Sequence, residues 1–188
     1  MDRRWLYGGL GVTAGIGRAR RLGRPGPKVE AKTRLLLVGG AFAHGLAPPL
    51  RALARDQRVV FDMALPPQGL KPVRTEEWAA RPELVAKLAA FRPTVVAVAL
   101  DVVAPDLVGK AKQAGALKAL ALALQRSGAQ VMWIGPPTAP AGARARGEPS
   151  RRYFPTATAL TLPRGPDGLQ PTVAGYAGWA GAIWQWLT

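Results

Sequence analysis

Arg34-Leu35-Leu36-Leu37-Val38-Gly39-Gly40-Ala41-Phe42-Ala43-His44-Gly45-Leu46 is the stretch that decides the fold. The continuous apolar run from Leu35 to Val38 is what a strand needs when helices cover both of its faces. Gly39 and Gly40 then turn the chain, and Gly45 to Ala54 reads as a helix. A strand, a glycine turn and a helix start, in that order, form the place where many α/β enzymes hold a nucleophile. The residue at that point here is Ala41, which has no heteroatom.

Outward from this stretch the same alternation repeats. Arg58 to Met63 reads as a second short strand, and Pro66, Pro67, Gly69 and Pro72 as a loop. Thr75 is expected to cap a helical stretch whose first turn carries Glu76 and Glu77. Pro82 opens a helix reaching Phe91, since proline is tolerated in a first turn. Thr94 to Leu100 reads as a strand ending in Asp101, and a helix from about Leu107 to Arg126 is closed by Gly128. Gln130 to Ile134 is the next strand, stopped by Gly135-Pro136-Pro137, and Tyr153 to Leu162 is expected to hold a short last one. The final helix, Thr172 to Trp186, carries Tyr176, Trp179, Ile183 and Trp186 on one face, which is expected to be core. Trp184 falls off that face and is the better candidate for a partner surface.

Strands alternating with helices imply parallel pairing, hence a three-layer α/β/α sandwich with a mainly parallel, flavodoxin-like sheet over residues 34–188. Residues 1–33 form a basic, Gly/Pro-rich arm and linker, the linker running from Leu22 to Thr33. In such sheets ligands bind beyond the carboxyl ends of the strands. Gly39 to Ala41, Asp101, Gly135 to Pro137 and the turn before the last helix should meet there.

Composition narrows the chemistry. Without cysteine there are no disulfides or thiolate metal sites, and a single histidine, His44, leaves no cluster for zinc, so no metal or cofactor is expected. The formal net charge is +15, and residues 1–34 hold nine basic side chains against two acidic ones. Such a balance is either a solubility charge or a match for a polyanion: a nucleic acid, an anionic lipid, an acidic glycan or an acidic protein surface. No nucleic-acid-binding motif is present, and the basic runs lack interleaved aromatics. The run from Trp5 to Gly17 is well short of the ~20 residues that span a bilayer. It resembles a signal-peptide core, but Arg18-Ala19-Arg20-Arg21 follows where small residues should mark a cleavage site. Arg3, Arg4, Arg18, Arg20 and Arg21 are therefore read as partner-binding, with the arm held by a protein partner in a larger assembly.

Two stretches carry a family resemblance. Gly39-Gly40-Ala41-Phe42-Ala43-His44-Gly45-Leu46 resembles the first block of the SGNH (GDSL-type) hydrolases, in which Gly-Asp-Ser leads into a helix. Residues 166–180, Pro-Asp-Gly-Leu-Gln-Pro-Thr-Val-Ala-Gly-Tyr-Ala-Gly-Trp-Ala, resemble their last block, Asp-Gly-x-His-Pro-Thr-x-x-Gly-Tyr-x-x-Trp-Ala. Val131 to Pro137 is similar to the strand and turn that precede it. The resemblance implies a serine activated by a histidine, an aspartate behind it, and an oxyanion hole completed by a glycine and an asparagine. On those positions this chain has Ala41 for the serine, Gln170 for the histidine and Asp167 for the aspartate, with Gly40 in front of Ala41. Ala99-Leu100-Asp101 replaces the asparagine block, and Gly69 is the candidate for the glycine block. An amide does not take up a proton near neutral pH, so Gln170 is no base.

The resemblance thus implies a pseudoenzyme, and no catalytic residue is expected. Its role would be structural or binding, in a virus particle or a cell-envelope complex. The alternative is a hydrolase of glycan or cell-wall esters using Asp101, Thr138 or Ser150 instead. A third reading keeps Gly40, Ala41, Asp101 and Gln170 as a lectin-like binding pocket, with main-chain amides at the helix start meeting a carboxylate or phosphate. Plainer readings stand beside these. Asp167 braces the turn into the last helix, Asp101 ends its strand, and His44 is a polar residue near a helix N-terminus. Arg144, Arg146, Arg151 and Arg152 are a solvated basic loop or meet an acidic partner.

Overall fold

The computed structural model describes residues 28–65, 82–99, 111–137, 152–168 and 170–188. The arm to residue 27, the expected Thr75 helix and the loop at 138–150 lie outside them. The described elements are β1 (Arg34–Gly39), α1 (Ala41–Asp56), β2 (Val60–Ala64), α2 (Pro82–Phe91), β3 (Val95–Ala99), α3 (Ala111–Arg126), β4 (Gln130–Ile134), β5 (Tyr153–Phe154), the single turn α4 (Thr156–Ala159) and α5 (Val173–Leu187).

The five strands pair in the order β2-β1-β3-β4-β5, and every pairing is parallel. That is the flavodoxin-like order, and its switch point lies between β1 and β3. Period-two alternation splits the core into two layers. Leu35, Leu37, Val95, Ala97, Ala99, Met132 and Ile134 face α1 and α5. Leu36, Val38, Val96, Val98 and Trp133 face α2 and α3, meeting Leu84, Leu88, Phe91, Leu120 and Leu124. The sandwich has three layers, and β1 and β3 are buried on both faces, which is why they read as unbroken apolar runs.

Differences from the sequence reading have local causes. α1 starts at Ala41 rather than Gly45, directly after Gly40, and continues through Pro48 and Pro49. Neither proline donates to the carbonyl four residues back, a cost of about 3 kcal/mol or more for an interior proline. Burial of Phe42, Ala43, Leu46, Ala47, Leu50 and Ala54 along one face offsets it. Pro82 opens its helix, and Gly128 ends α3 at φ +77°. The linker reading fails at its end: Val29 is buried in the α1/α5 core, and its N–H donates to the Leu187 carbonyl at 2.8 Å. Trp184 is likewise no partner surface. It is 7% exposed in the same core cluster as Val29 and Trp186, because α5 is covered on more than one stripe.

Candidate functional site

The carboxyl end of β1 meets that of β3 at the switch point. A Cβ on Gly39 would overlap the Ala99 carbonyl oxygen, so only glycine lets the two strand ends come this close. The Gly40 N–H donates to that same oxygen at 3.3 Å. Gly40 is the N-cap of α1 with no capping side chain, and the first turn has no acidic residue. Ala41 follows as the first helical residue and is exposed, so the rim presents a methyl group at the start of α1. His44 lies on the first turn of the same helix, half-buried, its N–H donating to the Gly40 carbonyl.

The other half of the site is the loop before α5. Arg164 and Pro171 form an antiparallel bridge, and the Gly165 N–H donates to the Gln170 carbonyl at 2.8 Å. Gly168, at φ +66°, turns the chain between them. Asp167 is exposed, and its Oδ1 accepts the Gln170 N–H at 3.0 Å, bracing the loop from within. Arg164 ties the loop to the end of β4 by donating to the Pro137 carbonyl at 2.7 Å. Thr172 caps α5: its Oγ1 accepts the Gly175 N–H at 3.1 Å, and its own N–H donates to the Pro163 carbonyl. Gly175 is required because a Cβ there would overlap the Pro163 carbonyl oxygen.

Tyr176 joins the two halves. Its ring lies so close to Gly45 that a Cβ on that glycine would overlap it. Its hydroxyl donates to Gln170 Oε1 at 2.6 Å. Gly45 is one helical turn beyond Ala41, on the same side of α1. The structure therefore brings Gln170, through Tyr176, to the helix that begins at Ala41. Below this contact Tyr176 stacks on Trp179 with centroids 6.0 Å apart, and Trp179 meets Phe42 edge-on at 6.0 Å. The Trp179 indole N–H donates to Thr156 Oγ1 at 2.9 Å, satisfying a fully buried hydroxyl. Composition and spacing mark Tyr176 and Trp179 as core aromatics and carry no sign of their polar partnerships. A glycine inside a helix, Gly45, was the available signal, since it marks a close approach.

Asp101, Gly69, Thr138, Ser150, Arg144, Arg146 and Arg151 lie outside the described residues. The sequence holds two serines. One, Ser127, donates to the Leu124 carbonyl at the far end of the sheet, after α3. Among the described residues no group of three or more His, Asp or Glu side chains is placed to hold a metal. Nor is any described helix long and apolar enough to cross a membrane.

No family model matches the sequence, and no curated protein does. Among solved structures, a GDP-L-fucose synthetase from Naegleria fowleri superposes with a TM-score of 0.36 at 12% identity, over 86% of this chain and 45% of that one. The same enzyme bound to NADP gives 0.35 at 11% identity, over 85% of this chain and 44% of that one. The chain spans less than half the length of these structures.

Proposed function

We propose that residues 34–188 are a catalytically silent relative of the SGNH hydrolases. The domain serves as a structural or binding component of a larger assembly at a cell envelope or in a virus particle, with the basic arm as its tether. The observation that carries this reading is the pairing of Gln170 with Tyr176 beside the helix that starts at Ala41. Where the related chemistry needs an imidazole to take a proton from a serine, this chain has a carboxamide whose oxygen is already occupied by a phenol. The methyl of Ala41 cannot attack an ester. Asp167, which would orient the imidazole, instead holds the main chain of its own loop. The last block is thus accounted for by folding: a turn glycine, a cap, a close approach and a buried tryptophan.

Two measurements test the proposal. The purified chain is expected to hydrolyse p-nitrophenyl acetate and acetylated glycans no faster than buffer, and turnover abolished by Asp167→Ala would refute the silent-site reading. Sedimentation is expected to show association into a larger species; a monomer at every concentration would refute the assembly reading.

A further inference from the structure

Three residues outside glycine adopt positive φ among those described: Lys32 at 81°, Arg58 at 56° and Arg92 at 48°. All three are cations, and each lies two or three residues before one of three neighbouring strands, β1, β2 and β3. Main-chain bonds place these strand starts side by side. The Val60 N–H donates to Thr33, the Thr94 N–H to Arg34 and the Gln130 N–H to Thr94, at 2.9 to 3.0 Å. Adjacent starts are therefore about 4.8 Å apart. The left-handed region is where glycine is the undemanding choice. At the same edge α3 makes that choice, with Gly128 after its last turn. α1 and α2 meet the same need with Arg58 and Arg92, each bonded back to its helix as a C-terminal cap.

Complementing helix dipoles explains cations in last turns, such as Arg55 and Arg126, but it does not explain arginine in a slot that suits glycine. Lys32, Arg58 and Arg92 are exposed, and none forms an ion pair with a described residue. Lys28 and Arg34 stand at the same amino edge, and among the described residues the carboxylates there are Glu30 and Asp56, the latter 3.5 Å from Arg55. Val29, two residues after the end of the arm, is pinned to the Leu187 carbonyl at the end of α5. Residues 1–27 add six arginines against one aspartate, bracketing an apolar run with Trp5, Leu6, Tyr7, Leu10, Val12 and Ile16.

We infer that the amino edge of the sheet is a docking face for an anionic lipid bilayer, with Lys32, Arg58 and Arg92 contacting headgroup phosphates and carboxylates. By its sequence the arm supplies an apolar run whose composition suits the headgroup boundary. One apolar segment alone gives marginal membrane binding, and a basic patch is the second signal that makes it stable. Arginines flanking an aromatic and aliphatic run suit that boundary. Binding a single-stranded nucleic acid needs exposed aromatics to stack bases, and no aromatic side chain is exposed among the described residues. This inference rests on the arm being a tether and names the surface that it is tethered to; it is independent of whether the site at Ala41 is silent.

The test is co-sedimentation of the full chain with vesicles of phosphatidylcholine containing 30% phosphatidylserine, and with phosphatidylcholine alone. Binding is expected to the first only, and to weaken with salt. The triple variant Lys32→Gly, Arg58→Gly, Arg92→Gly is expected to bind about a hundredfold more weakly, at roughly fivefold per cation. Glycine suits all three backbone conformations, so its melting temperature is expected to match or exceed the parent's, which separates lost contact from lost fold. Equal binding to both vesicle types, or unchanged binding by the triple variant, would overturn the inference. So would tighter binding to a single-stranded oligonucleotide than to anionic vesicles. Esterase turnover by a protein that still binds vesicles in this way would refute the silent site and leave the docking face standing.

Discussion

Replacing Gly45 by alanine should destabilise this protein, although the same change in an ordinary helix interior stabilises by about 1 kcal/mol. The reason is the Tyr176 ring, whose Cζ, Cε1 and Cε2 atoms all lie where the new methyl must go. The ring cannot simply swing away. It is stacked on Trp179, and its hydroxyl is held by Gln170 at 2.6 Å. Overpacking of this kind costs about 1–3 kcal/mol. Displacing the ring also forfeits about 0.5–1.5 kcal/mol of hydrogen bond and a similar amount of ring stacking. Set against the propensity gain, the net loss is about 1–5 kcal/mol, or roughly 2–4 °C in Tm per kcal/mol for a chain of this size. Urea unfolding followed by tryptophan fluorescence measures it, and in the double variant with Tyr176→Ala the penalty should largely vanish, a coupling expected only of residues in contact. Gly45→Ala that raises the urea midpoint, or a cycle with no coupling, would refute the placement of Tyr176 against α1 and with it the link between Gln170 and Ala41.

Other consequences can be checked in the same assay. Trp179→Phe strands the buried Thr156 hydroxyl and should cost about 1–3 kcal/mol beyond the lost packing, a part of which Thr156→Val restores. Arg58→Gly and Arg92→Gly, taken singly, should each leave stability unchanged or raise it by up to about 1 kcal/mol, because relief of the left-handed backbone exceeds the added freedom of the unfolded chain. Asp62 yields a pH dependence. Burial alone would raise its pKa, but the Lys87 ammonium at 2.7 Å, the Met63 N–H and the Arg51 charge outweigh burial and hold it below its ordinary 3.8. Its contribution is therefore fully present above pH 3.8 and is lost as the pH falls through the lower folded value. Both side chains are about a third exposed, so the effect is a few tenths of a kcal/mol, and Asp62→Asn should flatten that part of the acid limb in an unfolding series from pH 5 to pH 2.

Much of this architecture was legible in the residues. β1, β3 and β4 are unbroken or nearly unbroken apolar runs because both sheet faces are covered, and Pro82 and Gly128 mark helix boundaries through their own backbone chemistry. The start of α1 was not legible. Gly40 supplies no capping oxygen and Gly45 reads as a breaker, whereas the tight approach of β1 to β3 launches the helix at once. Trp184 falls outside the single apolar stripe that the periodicity of α5 marks, and only the fold shows that it and the segment through Val29 belong to the same core. At the candidate site, Ala41, Asp167 and Gln170 could be named only through the resemblance of two short blocks to a hydrolase family. The phenol that occupies Gln170 could not, since a tyrosine one turn beyond a helix cap looks like any other core aromatic until its ring is seen lying on Gly45.

Reaction of the full chain with an alkyl fluorophosphonate, read as intact mass, probes chemical silence most directly, because the reagent labels any activated hydroxyl wherever the fold has put it. No adduct is expected at reagent concentrations that saturate an active serine hydrolase run in parallel. A stoichiometric mass increase that maps to Ser150 or Thr138 would contradict the account and reveal a working nucleophile.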